Sequence, residues 1–336
     1  MKNLRTKILI LLIISIWTVM PVYSADIEDL QKGLDLLTEK MKPALPFNST
    51  MGLNWSDGYI GQITDLPPRF GIGISTGFTS MDFASVKKLL NLFGLEVPFD
   101  NSMNIGFPIP GLNLEGRIGG IKYPFDVGFK IGYLPPDALK SFIDNFNYNY
   151  FLIGADLRYS LINRKIFIPK LSVGLGINYM QGGITSPPLQ DMSYYNFTDS
   201  SDNKYMLSVS EAKLGLEWRT INAELKVQAS FPFKFITPYV GAGIGYAWSQ
   251  TGYKVTTSEL SVDNGSLEDI KDILKQLGVT GVSDKGFETI KKFNGISTRA
   301  FGGISINIAF FRIDITGMYE FIGGYIGGTL GMRFQL

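Results

Sequence analysis

The stretch TPYVGAGIGYAW, residues 237–248, places Val240, Ala242, Ile244, Tyr246 and Trp248 on one side of an extended chain and Tyr239, Gly241, Gly243, Gly245 and Ala247 on the other. Successive side chains of a strand alternate across the pleat, so one face here is apolar and the other almost bare. A soluble sheet would cover its second face with charge. The same period returns along the chain. Phe70, Ile72, Ile74, Thr76 and Phe78 oppose Gly71, Gly73, Ser75 and Gly77, and Val127, Phe129, Ile131 and Tyr133 oppose Asp126, Gly128, Lys130 and Gly132. Leu171, Val173, Leu175, Ile177 and Tyr179 oppose Ser172, Gly174, Gly176 and Asn178, while Phe311, Ile313, Ile315 and Tyr319 oppose Arg312, Asp314, Thr316 and Glu320. An apolar face beside one of glycine and charge suits a transmembrane barrel, whose apolar side meets lipid and whose small or polar side meets the lumen. Phe231, Phe233 and Phe235, and Tyr319, Phe321 and Tyr325, fall where interfacial aromatic girdles belong.

The N-terminus predicts export. MKNLRTK is basic, ILILLIISIWTVM is an apolar run shorter than a spanning helix, and PVYSAD supplies small residues, with cleavage expected after Ser24. No second apolar run is long enough to cross a bilayer as a helix, so a membrane-resident mature chain must cross as strands. Without Lys2, Arg5 and Lys7 the chain holds 28 basic and 30 acidic residues, which gives no electrostatic argument for nucleic acid. Zero cysteines exclude a disulfide scaffold.

The periodicity predicts an all-β antiparallel barrel of ten strands, near 69–80, 112–122, 126–134, 148–161, 170–183, 218–231, 237–250, 297–309, 311–321 and 325–336. Long links at 81–111, 135–147, 184–216 and 251–296 are expected outside, and short turns on the periplasmic side. The tight link at Gly323 and Gly324 falls where an outer loop is due. Between 205 and 218, Leu214, Leu216 and Trp218 alternate in the opposite phase to Ala223, Leu225, Val227, Ala229 and Phe231. That flip implies a bulge or a hairpin, and a hairpin would need a further strand, near 50–62, giving twelve.

Residues 1–24 are thus read as a signal peptide, 25–66 as an N-terminal helix and plug, and 67–336 as the barrel. In DIEDLQKGLDLLTEKMKP, Ile27, Leu30, Leu34, Leu37 and Met41 recur at helical spacing, with Pro43 as the expected stop. The helix is placed in the periplasm or in the lumen. Helices are also expected in the loops, at 84–93, in PPDALKSFIDNF, in SLEDIKDILKQLG and at 283–293. Their apolar residues Phe142, Ile143, Ile273 and Leu274 are candidate contacts for a hydrophobic ligand.

Alternation turns Glu115, Arg117, Lys130, Asp156, Arg158, Glu224, Lys226, Arg312, Asp314 and Arg333 toward the lumen. The chain contains no His, so a histidine general base cannot be built, and with no Cys either, soft metal sites are absent. The lumenal acids are read as partners of the lumenal bases rather than as acid and base catalysts. No enzymatic activity, cofactor or metal is expected. GAGIGY has the glycines of a nucleotide loop but lies inside a strand with no helix after it.

Thr329, Gly331, Phe334 and Leu336 resemble the C-terminal β-signal of outer-membrane barrels, which implies recognition by the barrel assembly machinery; the final residue here is Leu336 instead of the usual aromatic. The runs FNSTMGLNWSDGYIG, PRFGIGISTGF, FPIPGLNLEGRIGG, FDVGFKIGYLP and TPYVGAGIGY are similar to those of a poorly characterised group of diderm outer-membrane barrels. In layout the chain also resembles the FadL-like transporters of long-chain fatty acids. It lacks their Asn-Pro-Ala plug motif and is shorter, so no ligand-binding residue carries over. The expectation is a bacterial outer-membrane barrel in contact with outer-membrane lipid, acting as a passive channel for a small hydrophobic compound. The alternative is a surface barrel of adhesin type whose loops bind a protein partner. An open lumenal path would favour transport and a filled lumen the anchor.

Overall fold

A computed structural model describes residues 27–60, 69–92, 106–120, 123–134, 146–162, 169–188, 193–198, 204–257, 259–263, 268, 275, 281–283 and 285–336. The expected signal peptide and the loop residues Phe142, Ile143, Ile273 and Leu274 lie outside them.

Ten antiparallel strands close a barrel: β1 (Arg69–Met81), β2 (Phe107–Gly119), β3 (Phe125–Leu134), β4 (Asn147–Ile162), β5 (Lys170–Thr185), β8 (Lys213–Ser230), β9 (Ile236–Thr256), β12 (Gly286–Ile308), β13 (Phe311–Glu320) and β14 (Ile326–Gln335). Closure is made by β14 against β1, from Gly71↔Gln335 to Thr79↔Gly327. Short β6 (Ser193–Thr198), β7 (Lys204–Ser210) and β10 (Glu259–Asp263) form a separate three-stranded sheet from two of the long loops, and β11 (Gly281–Ser283) pairs with the start of β12. Long connections leave one end, here the outer end. The turns after β2, β8 and β12 leave the inner end.

Parity holds because the link between β13 and β14, although short, is an outer turn. Glu320 makes its brevity workable, since its carboxylate accepts the amides of Ile322 (3.0 Å) and Gly323 (2.5 Å).

The outward faces are apolar, as the alternation requires: Ile74, Phe129, Leu175, Ile177, Leu225, Ile244, Ile315 and Leu330 are all exposed. On β8 the band runs from Ile221 to Ala229, about the 9–11 residues a tilted strand needs to cross a bilayer.

Four details correct the sequence reading. The phase flip on β8 is neither a bulge nor a hairpin, because its register with β5 and β9 runs unbroken from Gly215 to Ser230. Leu214, Leu216 and Trp218 share the inward face with Thr220, Asn222, Glu224 and Lys226; what inverts is the solvent on each side. Above the membrane the wall turns apolar groups inward and Lys213, Glu217 and Arg219 outward, as a soluble barrel does. Second, the helix expected at 283–293 gives way to strand from Gly286 on: β12 begins there and pairs with β9 down to Ile306↔Ile236. Third, β2 starts at Phe107, and its Pro108 and Pro110 lie where β1 is the only ladder partner among the described residues, since pairing with β3 begins at Asn113. Fourth, Tyr325 is buried, not part of an aromatic girdle.

The first helix, α1 (Ile27–Ser49), passes through Pro43 and Pro46 instead of stopping. Proline in a helix interior costs about 3 kcal/mol through a lost amide bond. Here the surroundings offset it, because Ala44, Leu45 and Phe47 are fully buried inside the barrel. In the loop after β1, α2 (Phe83–Leu92) starts at Asp82, which accepts the Ser85 amide (2.7 Å), and buries Val86 beside α1.

Candidate functional site

The interior of the barrel is occupied by the chain's own N-terminal segment, which is buried at Leu37 and Met41 and without a break from Pro43 to Ile60. Asp35 at the outer end pairs with Lys291 near the start of β12. One turn further, the Lys40 carbonyl accepts from Tyr325 Oη (2.8 Å), a phenol whose pKa is raised by burial, by Asp82 and by Glu320. The chain then descends. Pro46 O meets Asn222 (3.3 Å), Ser49 O and Met51 O meet Lys130, and Leu53 N meets Glu115. Asp57 meets Arg333, and the Ile60 amide donates to Asp126 (2.8 Å) near the inner end. The segment enters at the outer mouth and leaves at the inner one, from which β1 starts.

Its surroundings form two storeys. In the upper one, Leu37, Met41, Leu45 and Phe47 of α1 pack on a wall that includes Phe107, Tyr148, Leu216, Trp218, Tyr253 and Phe287. In the lower one, residues 52–60 cross a charged network. Gly52 (φ 84°) and Leu53 (φ 58°) make the turn between the two, and Glu115 Oε2 secures the strained Leu53 by accepting its amide (2.9 Å).

The lower network balances. Six cations, Arg117, Lys130, Arg158, Lys226, Arg299 and Arg333, face six acids, Asp57, Glu115, Asp126, Asp156, Glu224 and Asp314, all buried. Arg117 bridges Asp126 and Asp156, the latter through two bonds of 2.7 and 2.9 Å, and Lys226 reaches Asp156 at 2.5 Å. Arg158 grips both oxygens of Asp126 (2.8 Å each) and donates to the Asp57 carbonyl (2.6 Å). Arg299 forks onto Glu224 (2.6 and 3.1 Å) and reaches Asn54 (3.2 Å). Arg333 contacts Ser56, Asp57 and Asp314. Such charges are tolerable only when mutually paired.

Trp55 is the centre of this storey. Its Nε1 donates to Glu115 Oε2 (2.6 Å), and the guanidinium groups of Arg117 (5.6 Å) and Arg333 (4.6 Å) both lie against its ring. Gln228 holds the Trp55 carbonyl (2.7 Å), and Gly58 N donates to Ser230 Oγ (2.9 Å).

The inner-face glycines make room for this segment. A Cβ at Gly71 would meet the Trp55 ring at 2.9 Å, one at Gly119 would meet Ile60 at 2.9 Å, and one at Gly295 would collide with the Lys42 carbonyl. The space they leave is filled. The two voids lined by the lower network measure about 20 and 10 Å³, room for no more than a single water each.

Nine of the ten lumenal charges assigned from alternation lie in this network; Arg312 sits half-buried on β13 and makes no ion pair among the described residues. Asp126 and Arg299, outside those ten, obey the same alternation and belong to the network as well. Asp57, Asn54 and Trp55 left no periodic signal, because they belong to an irregular segment. At the C-terminus, Thr329 and Gly331 face the lumen and Phe334 faces out, stacking with Phe310 (5.9 Å) and Phe311 (5.7 Å) at the inner end.

The sequence profile of a family described as Lsa36-like matches residues 66–336. No curated protein matches the chain. Among solved structures it is similar to a major outer membrane protein from Thermus thermophilus (10% identity, TM-score 0.33, covering 81% of this chain and 100% of that one). It is also similar to the outer membrane protease OmpT from Escherichia coli (9%, 0.37, 82% and 100%) and to the translocator domain of the autotransporter NalP from Neisseria meningitidis (9%, 0.33, 80% and 87%). Likeness at this level carries no argument about function.

Proposed function

The chain belongs to the Lsa36-like family, and we propose that it is a non-enzymatic outer-membrane barrel, closed by its own N-terminal segment, that anchors a binding surface built from its outer loops and the outer end of α1. The observation that carries this reading is the filled lumen: the segment from Leu37 to Ile60 runs through it, and the two cavities lined by the charged storey measure about 20 and 10 Å³. A protein partner is the expected ligand of the outer surface. Lumenal acids and bases that neutralise one another support a structural role over acid and base catalysis.

Uptake of a small hydrophobic compound is the second reading. It is favoured by the apolar upper storey, whose Tyr148, Leu216, Trp218 and Phe287 would line a greasy passage if α1 withdrew. The two readings separate on whether residues 27–60 must move. The chain has no cysteine, so Gly58→Cys with Ser230→Cys gives a single defined crosslink; the Gly58 Cβ would lie 3.3 Å from Ser230 Oγ, close to disulfide geometry. With the crosslink oxidised, the anchor reading expects outer-surface binding unchanged and no fluorescent fatty acid taken up in either redox state. Uptake that appears on reduction and stops on oxidation would establish transport instead.

A further inference from the structure

We propose that the outer wall of the barrel carries a binding site for the phosphate of an outer-leaflet lipid, between Arg219 of β8 and Lys292 of β12. The two are brought together by register alone. Arg219 pairs with Gln250 of β9, and Gln250 pairs with Lys292. At about 4.8 Å per strand, the two cations stand roughly 10 Å apart along one row, with an amide between them. Side chains of this length close readily on one anion, and the guanidinium fork matches phosphate oxygens in pairs.

The next row toward the membrane is Ile221, Trp248 and Asn294, paired in the same order. Ile221 and Trp248 are exposed, and Trp248 stacks edge-on with Tyr246 at 5.1 Å. The lipid-facing band of β8 and β9 therefore ends one residue pair below the cations. That is the depth of a headgroup, with an indole beneath it for the acyl region. These residues line a depression of about 420 Å³ in the outer wall, adjoined by a second of about 310 Å³ that shares Arg219 and Gln250.

Among the described residues no acid is paired with either cation. Neither Arg219 nor Lys292 makes an ion pair among the described residues, in contrast to the balanced lumenal network. Among the described residues the nearest acids on the outward face are Glu217, one row further from the membrane and opposite Gly252, and Glu288, which lies opposite Lys254. Both lie on the aqueous side of the row, leaving the membrane side cationic.

The test is the affinity of fluorescent diphosphoryl lipid A for the detergent-solubilised full-length barrel, with its fully dephosphorylated form and inorganic phosphate as competitors. A surface cation contributes roughly fivefold at an anionic interface, so Arg219→Gln with Lys292→Gln is expected to weaken binding about 25-fold. Lys234→Gln, at the inner end, is expected to leave it unchanged. The dephosphorylated lipid should compete poorly, and inorganic phosphate should not compete at matched concentration. Equal competition by the dephosphorylated lipid, or an unaffected double variant, overturns the proposal. Effective competition by inorganic phosphate overturns the assignment to a lipid. If the double variant fails to fold, Gln250→Glu puts a carboxylate between the cations and must weaken binding in the same way.

Discussion

Replacing Trp55 by Ala is expected to unseat the lumenal segment without opening the barrel wall. The indole is 4% exposed, so truncation leaves a cavity beside two guanidinium groups, and large-to-small changes of this kind cost about 3–5 kcal/mol. The charge-assisted bond to Glu115 adds roughly 1–2 kcal/mol, toward the low end because Glu115 keeps the Leu53 amide and the Ser75 hydroxyl. A total near 5 kcal/mol raises the unseated population by about three to four powers of ten, at about 1.4 kcal/mol for each. None of the three side-chain contacts of Trp55, with Glu115, Arg117 and Arg333, belongs to the strand ladder, so heat-modifiable gel mobility should persist. Single-channel recording in planar bilayers reads the effect. Wild type is expected to stay closed, Trp55→Ala to open in bursts, and deletion of residues 27–60 to conduct continuously. Trp55→Phe, which keeps ring packing and loses the N–H, should fall between the first two. If the deletion conducts while the open fraction of Trp55→Ala stays within tenfold of wild type, the ring is not what seats the segment.

Arg299→Met leaves Glu224 buried without its fork and should destabilise the folded barrel by about 3–5 kcal/mol in urea titration of its gel mobility; adding Glu224→Leu should recover most of the loss, and a double variant as weak as the single one would contradict the pairing. Ile244→Arg puts a charge on the lipid face and should cost about 2–4 kcal/mol, measured by the same titration, with no change implying the wrong register. The inner-face glycines should differ among themselves. At Gly176 an added Cβ meets nothing nearer than 3.5 Å, whereas at Gly243 it meets the pinned Glu224 carboxylate at 2.5 Å, so folding yield should survive Gly176→Ser better than Gly243→Ser.

The sequence by itself determined the barrel, because lipid and lumen impose opposite demands on alternate residues and every strand must answer both. The ten strands, the outward Ile244 and Leu175, and the inward Glu115, Arg117 and Asp156 follow from that two-sided constraint. Where the constraint changes, local reading loses the thread. At Trp218 to Ile221 the strand leaves the bilayer, the solvents exchange sides, and continuous β8 looks like a broken register. At Pro43 and Pro46 local propensity says stop, yet burial in the lumen carries α1 on. Only the tertiary structure decided what the glycine face is for. Gly71, Gly119 and Gly295 left open the choice between an empty channel and a socket, and the answer lies in contacts with Trp55, Ile60 and Lys42, residues far from their strands whose placement no periodicity encodes.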